Sequence, residues 1–258
     1  MGDIVKLHQP CPHCGSHDAL SVYADGGAKC FSCGWSWKNF EGGMKQVVTS
    51  EVKIDAGRFP VNGIPDRGLT ADTCKTFGVK VVVKEGGIAQ HIYPYYDKAN
   101  NLVAQKVRTV EGKQFHCLGS MNKALMFGQQ LFPAKGKFVT VTEGEIDCMS
   151  VFQMLGGRSP VISVKDGCNA LKNIKDNYEF LDGFENIILC FDGDDAGRKA
   201  VIKAAELLPP KKVKIVKLPK DLKDPNEFLK QGKASEFVNM YWWKAEEFRP
   251  DDIVNYSD

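Results

Sequence analysis

The chain of 258 residues carries 43% hydrophobic and 26% charged residues and a formal net charge of +2. This composition supports one large or two smaller globular cores, and by itself it predicts no strongly acidic or basic partner. No run approaches the roughly 20 apolar residues of a membrane span, and the polar start MGDIVKLHQP lacks the apolar segment of a secretion signal. We therefore expect a cytosolic protein that contacts no membrane.

Residues 1–40 contain four cysteines in a regular pattern, Cys11, Cys14, Cys30 and Cys33, with two residues inside each pair and 15 between the pairs. Cytosolic thiols stay reduced, so this spacing favours metal ligation over disulfides. Two tight knuckles can present four thiolates to one tetrahedral Zn²⁺ and leave no coordination position open for catalysis. The pattern predicts a small ribbon with one structural zinc ion.

Aromatic and basic residues lie on the predicted strands of this ribbon. Trp35 and Trp37 can stack bases of a single strand, and Lys29 is close enough in sequence to follow the phosphates. The alternative is that so small a module needs its aromatic side chains for its own core. Residues 41–56, with two glycines directly after Glu41 and no core pattern, predict a flexible linker to a larger region.

Residues 57–136 show a mixed α+β pattern. Thr70 can cap a short helix that stops at Gly78, and HIYPYYDKANNLVAQKVR reads as strand, turn and strand around Asn100. Lys106 and Arg108 are two positions apart on the second strand, so their side chains share one face. Two cations side by side are expected to bind an anion or to be solvated by water.

Positive charge accumulates in this part of the chain. Residues 98–137 contain seven lysines and arginines but one acidic residue, Glu111. Such a patch can bind nucleic acid or nucleotides, although a solvated lysine-rich surface is the ordinary alternative.

From residue 137 short apolar runs alternate with helical patterns. The predicted strands are 138–142, 160–164, 187–191 and 213–218, and the predicted helices are 145–155, 168–180 and 195–208. This alternation predicts βαβ units in a mainly parallel sheet, whose ligands gather at the carboxyl ends of the strands.

Acidic residues follow two of these strands. Glu143 comes directly after the first strand, and Asp192 and Asp194 follow NIILCF. If the two strands are neighbours, these carboxylates meet at one edge of the sheet, where they suit Mg²⁺ or Mn²⁺. Asp195 is expected to be a helix N-cap and no more than that.

Two further acids are ambiguous. Asp224 in KDPNEFL either joins the metal site or initiates a turn before proline, and Asp147 either points to the site or favours the positive start of its helix.

The segments TEGEID, FDGDDAGRKA and KDPNEFL together resemble the glutamate and Asp-x-Asp signature of the Toprim fold, which primases, topoisomerases and some nucleases share. A four-cysteine ribbon ahead of RGLT, the YYDKANNLVAQKVR hairpin and such a core is the order found in bacterial-type primases. Over nearly its whole length the chain resembles the N-terminal primase half of bifunctional phage primase-helicases. SVKDG, residues 163–167, departs from the Gly/His-rich turn expected there, and Lys165 adds a cation near the site.

The resemblance implies an α+β multidomain protein. Its parts would be a zinc ribbon (1–40), a linker (41–56), an α+β subdomain (57–136), an α/β Toprim subdomain with a mainly parallel sheet (137–245) and the start of a connector to a helicase (246–258). It implies de novo synthesis of RNA primers on single-stranded DNA from NTPs, in the cytoplasm of the host if a phage encodes the chain.

Roles for individual residues follow from the same resemblance. Glu143, Asp192 and Asp194, with Asp224, would hold two Mg²⁺ or Mn²⁺ ions for nucleotidyl transfer with release of pyrophosphate. The residues that would contact nucleotide or template are Lys106, Arg108, Lys113 and Lys123. Expected protein partners are a replicative helicase, fused in the full-length parent, and a DNA polymerase.

One alternative function and one question about the extent of the protein accompany this interpretation. A non-catalytic recombination mediator of the RecR type also joins a four-cysteine zinc module to a Toprim fold and binds DNA. No Walker A pattern occurs in the 258 residues, so we expect either an excised primase fragment or a stand-alone form. Hexamers belong to the helicase, and the fragment is expected to be monomeric.

Overall fold

The computed structural model describes residues 4–11, 19–31, 36–37 and 59–250, without the side chains of Trp37, Lys113 and Cys168. These residues divide into two compact units. The first takes its residues from 1–59 and 82–124, and the second from 60–81 and 125–258. The domain boundaries proposed from the sequence stay predictions.

The N-terminal part of the first unit is a small antiparallel sheet. Its four strands are adjacent in chain order: β1 (Ile4–Gln9), β2 (Leu20–Tyr23), β3 (Ala28–Cys30) and β4 (Ser36–Trp37). Cys11, Leu20, Ala28 and Cys30 form a small buried cluster beside these strands. The cluster brings one cysteine from each predicted knuckle into the same interior.

A second antiparallel sheet contains the predicted hairpin. Its strands are again adjacent in chain order: β5 (Lys80–Lys84), β6 (Gly87–Tyr96), β7 (Leu102–Thr109) and β8 (Phe115–Gly119). Asn100 has φ 62° in the turn between β6 and β7, and an oxygen of Asp97 accepts hydrogen bonds from the N–H groups of Ala99 and Asn101, each at 2.9 Å. The expected strand, turn and strand are confirmed.

The second unit begins with the predicted capped helix. Helix α1 (Ala71–Phe77) has Thr70 as N-cap, whose Oγ1 accepts from the Thr73 N–H at 3.2 Å, and it ends at Gly78 with φ 68°. Both predicted boundaries are confirmed.

A five-stranded sheet forms the centre of the second unit. Its strands are β9 (Gly136–Thr142), β10 (Val161–Ser163), β11 (Phe184–Cys190), β12 (Val213–Ile215) and β13 (Glu246–Glu247). The spatial order is β10-β9-β11-β12-β13, and every pair is parallel except β12 with β13. The predicted mainly parallel sheet is therefore confirmed.

Helices cover both faces of this sheet. They are α2 (Glu145–Met154), α3 (Ala170–Asp176), α4 (Tyr178–Asp182), α5 (Asp195–Ala205), α6 (Pro225–Lys230) and α7 (Ala234–Trp243). On one face Val139 and Val141 of β9 pack with Ile174 of α3 and Val201 of α5. On the other face the Thr140 and Tyr241 hydroxyls share a 2.8 Å hydrogen bond, which joins β9 to α7.

Short 3₁₀ turns complete the described chain. They are Pro65–Arg67, Glu111–Lys113, Gln129–Leu131, Gly167–Asn169 and Pro210–Lys212. Across the described ranges, none of the helices has the length and apolar character required to span a bilayer.

The single helix predicted over 168–180 is wrong, because the structure has two short helices there. The pattern over 168–180 suggested a single helix, but α3 ends and α4 begins at Asn177. The Asn177 side-chain amide donates to the Asn173 carbonyl at 2.8 Å. Asparagine competes in this way for backbone groups that would otherwise continue the helix.

Candidate metal centre and basic face

The register of the parallel sheet brings the predicted acids to one edge. Thr142, the last residue of β9, is the partner of both Ser163 on β10 and Cys190 on β11. The three strands therefore end level with one another. Glu143 follows β9 by one residue, and Asp192 follows β11 by two.

Glu143 and Asp192 are close enough to perturb each other. The backbone N–H of Asp192 donates a hydrogen bond to the Glu143 carboxylate, yet burial raises the pKa of Glu143, and the charge of Asp194 adds to that rise. Burial and then the charge of Glu143 raise the pKa of Asp192 from 3.8 to about 7. A positively charged group between these carboxylates, such as a metal ion, would stabilise their ionised forms and lower both pKa values.

Two of the predicted ligands also cap helices. Asp194 Oδ1 accepts from the Gly197 N–H at 2.7 Å and caps α5, and Asp224 Oδ1 accepts from the Glu227 N–H at 2.8 Å and caps α6. The expectation that Asp195 is the N-cap is wrong, because Asp195 is the first residue of α5 and its side chain pairs with Arg198 at 2.8 Å. The N-cap is therefore one residue earlier than expected, whereas α5 begins at Asp195, where the predicted helix begins.

Asp147 belongs to the same group of acids. It is partly buried on α2, and its Oδ1 accepts from the Asn226 N–H at 3.2 Å. Burial raises the pKa of Asp147 well above its usual value, and the charges of Asp224 and Asp192 raise it further. We call Glu143, Asp147, Asp192, Asp194 and Asp224 the acid rim.

Asn226 is a buried member of the site that sequence reasoning missed. It is 1% exposed, and its side chain accepts from Arg67 at 3.4 Å and donates to the Ser150 hydroxyl at 2.9 Å and to the Arg67 carbonyl at 2.8 Å. These bonds tie the start of α6 to α2 and to the turn at Arg67. The only hint in the sequence is a polar amide directly after Asp224 and Pro225.

Three glycines allow the close approach of backbone and acids. A Cβ at position 167 would lie 2.7 Å from Glu143 Oε1, and one at position 197 would lie 2.3 Å from the Asp192 carbonyl oxygen. At position 193 a Cβ would lie 3.2 Å from Leu218 Cβ, and the Gly193 N–H donates to the Lys223 carbonyl at 2.7 Å. Space, rather than an unusual φ, explains these glycines.

The acid rim offers the oxygen atoms that a hard divalent cation prefers, although among the described residues no three of its side chains form a preformed metal site. Within the described residues, Glu143 Oε2 and Asp192 Oδ1 are buried and accept no hydrogen bond. Buried carboxylate oxygens without partners are costly, and oxygen ligands of this kind suit Mg²⁺ or Mn²⁺. Lys165 is two residues beyond Ser163, and burial lowers the pKa of its ammonium.

The predicted zinc site is described in part. Cys11 and Cys30 are 2% and 0% exposed and share one interior, whereas Cys14 and Cys33 lie outside the described residues. Within the described ranges no group of three or more metal-ligating side chains is found. Trp35 also lies outside them, and the Lys29 ammonium is 5.7 Å from the centre of the Phe31 ring.

Lys106 and Arg108 share one face of β7, as predicted. The Lys106 ammonium is 5.2 Å and the Arg108 guanidinium carbon 5.5 Å from the centre of the Phe115 ring on β8. We call Lys106, Arg108 and Phe115 the basic face. Lys123 is exposed after the turn at Ser120, and Lys113 belongs to the turn Glu111–Lys113.

Two family models match different parts of the chain. Residues 140–229 match a Toprim-like family model, and residues 57–119 match the model of the N-terminal a+b fold of the bacteriophage T7 DNA helicase/primase. A DNA helicase/primase of Enterobacteria phage T3 is 35% identical over 98% of this chain. The match covers 46% of the T3 protein, so the chain spans about half the length of that relative.

Two solved structures resemble the chain closely. The primase fragment of the bacteriophage T7 primase-helicase is 33% identical, with a TM-score of 0.64 and coverage of 92% of this chain and 99% of the fragment. A second T7 structure shows lagging-strand DNA polymerase interacting with primase domains of two subunits bound to an RNA/DNA hybrid and dTTP. It is 37% identical, with a TM-score of 0.65 and coverage of 74% and 94% of the two chains.

The likeness to the T7 fragment extends over nearly all of both chains, and the two family models fall on the hairpin region and on the acid rim. The chain therefore belongs to the family of the N-terminal primase fragment of T7-type phage primase-helicases.

Proposed function

We propose that this chain is a DNA primase that joins ribonucleotides de novo on single-stranded DNA, with release of pyrophosphate, for DNA replication. The observation that carries the proposal is the acid rim, where Glu143 and Asp192 each keep a buried carboxylate oxygen without a hydrogen-bond partner among the described residues. Membership of the T7-type family supports the choice of reaction. The alternative of a non-catalytic mediator of the RecR type is not favoured, because the matching relatives are primases.

The chain's own residues hold the acids ready for cations. Glu143, Asp192 and Asp194, with Asp224, are the proposed ligands, and Asp147, whose raised pKa favours its protonated form, lies in the same group of acids. When bound, Mg²⁺ or Mn²⁺ neutralises triphosphate charge and favours attack of a 3′-hydroxyl on the α-phosphate. We propose two such ions. The backbone of α5 and α6 fixes Asp194 and Asp224 by capping bonds, so these carboxylates need little reorganisation when a cation binds.

Cationic side chains of the hairpin sheet are proposed to contact the nucleotides. Lys106 and Arg108 project from the same side of β7 and would bind the phosphates of template or triphosphate. Lys113 and Lys123 are proposed as further contacts, since both belong to the same basic stretch of sequence.

The ribbon is proposed to hold one structural zinc ion through Cys11, Cys14, Cys30 and Cys33, and to bind template through Lys29, Trp35 and Trp37. The shared interior of Cys11 and Cys30 supports this ligand set. Replacing Cys30 with Ser should remove about one equivalent of zinc and impair templated initiation, since structural zinc supplies folding energy. Full zinc content in this variant would contradict the assignment.

Partners are proposed from the relatives. The T3 relative is a DNA helicase/primase, and in the T7 structure primase domains interact with a lagging-strand polymerase. We propose a helicase and a DNA polymerase as partners, a hexamer only together with the helicase, and action in the host cytoplasm. Sedimentation of the isolated 258-residue chain as a hexamer would contradict the proposed assembly.

The decisive experiment is primer synthesis with NTPs, Mg²⁺ and a pool of single-stranded templates. Asp192→Asn keeps the side-chain shape but removes the charge. Synthesis should fall by more than about 100-fold, because even partners of metal ligands are worth roughly 10- to 100-fold. Absence of short RNA from the parent protein on every template, with DNA binding intact, would overturn the proposal.

The matched control is Asp195→Asn, which makes the same chemical change three residues away. The Asp195 side chain is 90% exposed and pairs with Arg198 at the surface, so primer synthesis should remain at the parent level. Equal losses in the two variants would point to damage of α5 and would contradict the metal assignment.

A further inference from the structure

An exposed aromatic ring lies beside the two cations of the basic face. Phe115 is the direct cross-strand partner of Arg108, and its ring is 46% exposed at the edge of the described sheet. Exposed phenylalanine forgoes the stabilisation that burial would give it. Single exposed apolar residues are common on protein surfaces, so the position of this ring beside two cations is the informative observation.

Cation–π contacts account for part of the arrangement. The charged groups of Lys106 and Arg108 are 5.2 and 5.5 Å from the ring centre, toward the outer limit of about 6 Å for this interaction. Both cations are close to the ring, and Phe115 nevertheless stays 46% exposed. Two positive groups beside one ring also repel each other, and Arg108 forms no ion pair with any described residue.

The open side of this face is toward Phe115. On β6, the strand that pairs with the other edge of β7, His91 is the cross-strand partner of Arg108 and Tyr93 is that of Lys106. These two β6 side chains are 1% and 0% exposed. A ligand that reaches the cations from solvent would therefore meet the aromatic ring as well.

We propose that Phe115 stacks a nucleobase while Lys106 and Arg108 hold the phosphate groups attached to it. The proposal rests on the proposed function, which brings nucleic acid and nucleotides to the protein. The ligand is a base that carries phosphate, either a unit of single-stranded DNA or a free nucleoside triphosphate. Every base has a π-face, so this contact tolerates any template sequence.

The test compares Phe115→Leu with Phe115→Trp. Leucine keeps apolar volume but cannot stack, so affinity for a fluorescent single-stranded oligonucleotide should fall roughly 5- to 100-fold, the range for one lost base–aromatic contact. The slope of log affinity against log salt should stay unchanged, because the phosphate contacts remain. Tryptophan should restore affinity and show fluorescence quenching on binding beyond that of the parent protein.

A matched control removes another exposed aromatic side chain. Tyr178 is 40% exposed on α4, and Tyr178→Leu should bind the oligonucleotide like the parent. A loss in the control equal to that of Phe115→Leu would overturn the proposal, since it would reflect a general effect of removing surface aromatics.

Separate measurements identify the source of the base. Loss of oligonucleotide affinity alone assigns the site to the strand, and loss of triphosphate affinity alone assigns it to the nucleotide. Parent-like affinity for both ligands would overturn the proposal. A loss that lowers the salt slope and is not restored by tryptophan would also overturn it, because Phe115 would then only position the cations.

These binding measurements need no catalysis. If the parent protein makes no primer but Phe115→Leu still weakens binding, the proposed function fails and the stacking site stands. If primer synthesis is normal and Phe115→Leu binds like the parent, only the stacking site fails.

Discussion

The acid rim and the basic face differ in how their side chains are held. The acids follow strand ends and start helices, so backbone register, capping bonds and glycine contacts fix them. The cations project from the middle of β7 and are held by cross-strand register and by one ring. A single added methyl group should therefore disturb the rim, whereas the basic face should lose function in small, nearly independent steps.

The largest effect should come from a methyl group beside the rim. In Gly167→Ala the new Cβ would lie 2.7 Å from Glu143 Oε1, so the carboxylate must move. Displacing a catalytic group by about 1 Å can cost on the order of 100-fold in rate. Primer synthesis and Mg²⁺ affinity should both fall. If neither changes, the expected sensitivity of the acid rim to an added methyl group is wrong.

Gly87→Ala on β6 is the control for this prediction. A Cβ there would meet only the Lys84 carbonyl oxygen, at 3.9 Å. Primer synthesis and Mg²⁺ affinity should match those of the parent.

A second effect is expected in the pH dependence of stability without metal. Because the pKa of Asp192 rises from 3.8 to about 7, the folded state keeps a proton that the unfolded state releases between these values. The free energy of unfolding in chelator should therefore fall as pH rises from about 4 to 7. The fall should be on the order of 1–2 kcal/mol, less than the full pKa shift implies, because the carboxylate is partly solvated.

Urea unfolding at pH 5 and pH 8 measures this change. Asp192→Asn should reduce it, and the part that remains is expected from Glu143 and Asp147, whose pKa values burial also raises. Adding Mg²⁺ should restore stability at pH 8 more than at pH 5, since protons compete with the metal. An identical pH profile in the parent and the variant would show that Asp192 does not carry the effect.

A smaller effect is expected on the basic face. Arg108→Gln removes one phosphate contact, which should lower the salt slope of single-strand binding by about 0.7 and weaken binding by only a few-fold near physiological salt. Lys123→Gln, at an exposed position beyond the sheet, tests whether the basic surface extends that far. A loss of 100-fold in Arg108→Gln would contradict the expected tolerance of this face.

The smallest effect should be at Asp195. Its ion pair with Arg198 is exposed, and such pairs contribute about 0.2–1 kcal/mol. Asp195→Asn should therefore change the free energy of unfolding by no more than that amount. A fall in the free energy of unfolding well above 1 kcal/mol would contradict this weak contribution of the ion pair.

The order of strands and helices around the rim could be predicted because short apolar runs alternate with helical patterns from residue 137 on. Glu143 and Asp192 follow apolar runs, and the parallel register then brings them together. The roles of these acids as metal ligands stay predictions. The break of the helix at Asn177 and the cap at Asp194 depend on local competition for hydrogen bonds, which apolar periodicity does not report.

Other features depend on contacts between distant parts of the chain. Gly167 is required because of Glu143, and Asn226 is buried because Arg67 and Ser150 contact it. Nothing in the sequence singles out Phe115, and only the pairing of β7 with β8 brings it to the cations. No local pattern specifies such neighbours.

The short strand β13 has a consequence for association between molecules. It pairs with β12 at the sheet edge through Glu246 and Glu247, and Lys217 binds the Glu246 carboxylate at 2.5 Å. Open sheet edges recruit strands of other chains, and a two-residue strand of like charges discourages that addition. Replacing both glutamates with valine should therefore promote aggregation at high protein concentration before it affects primer synthesis.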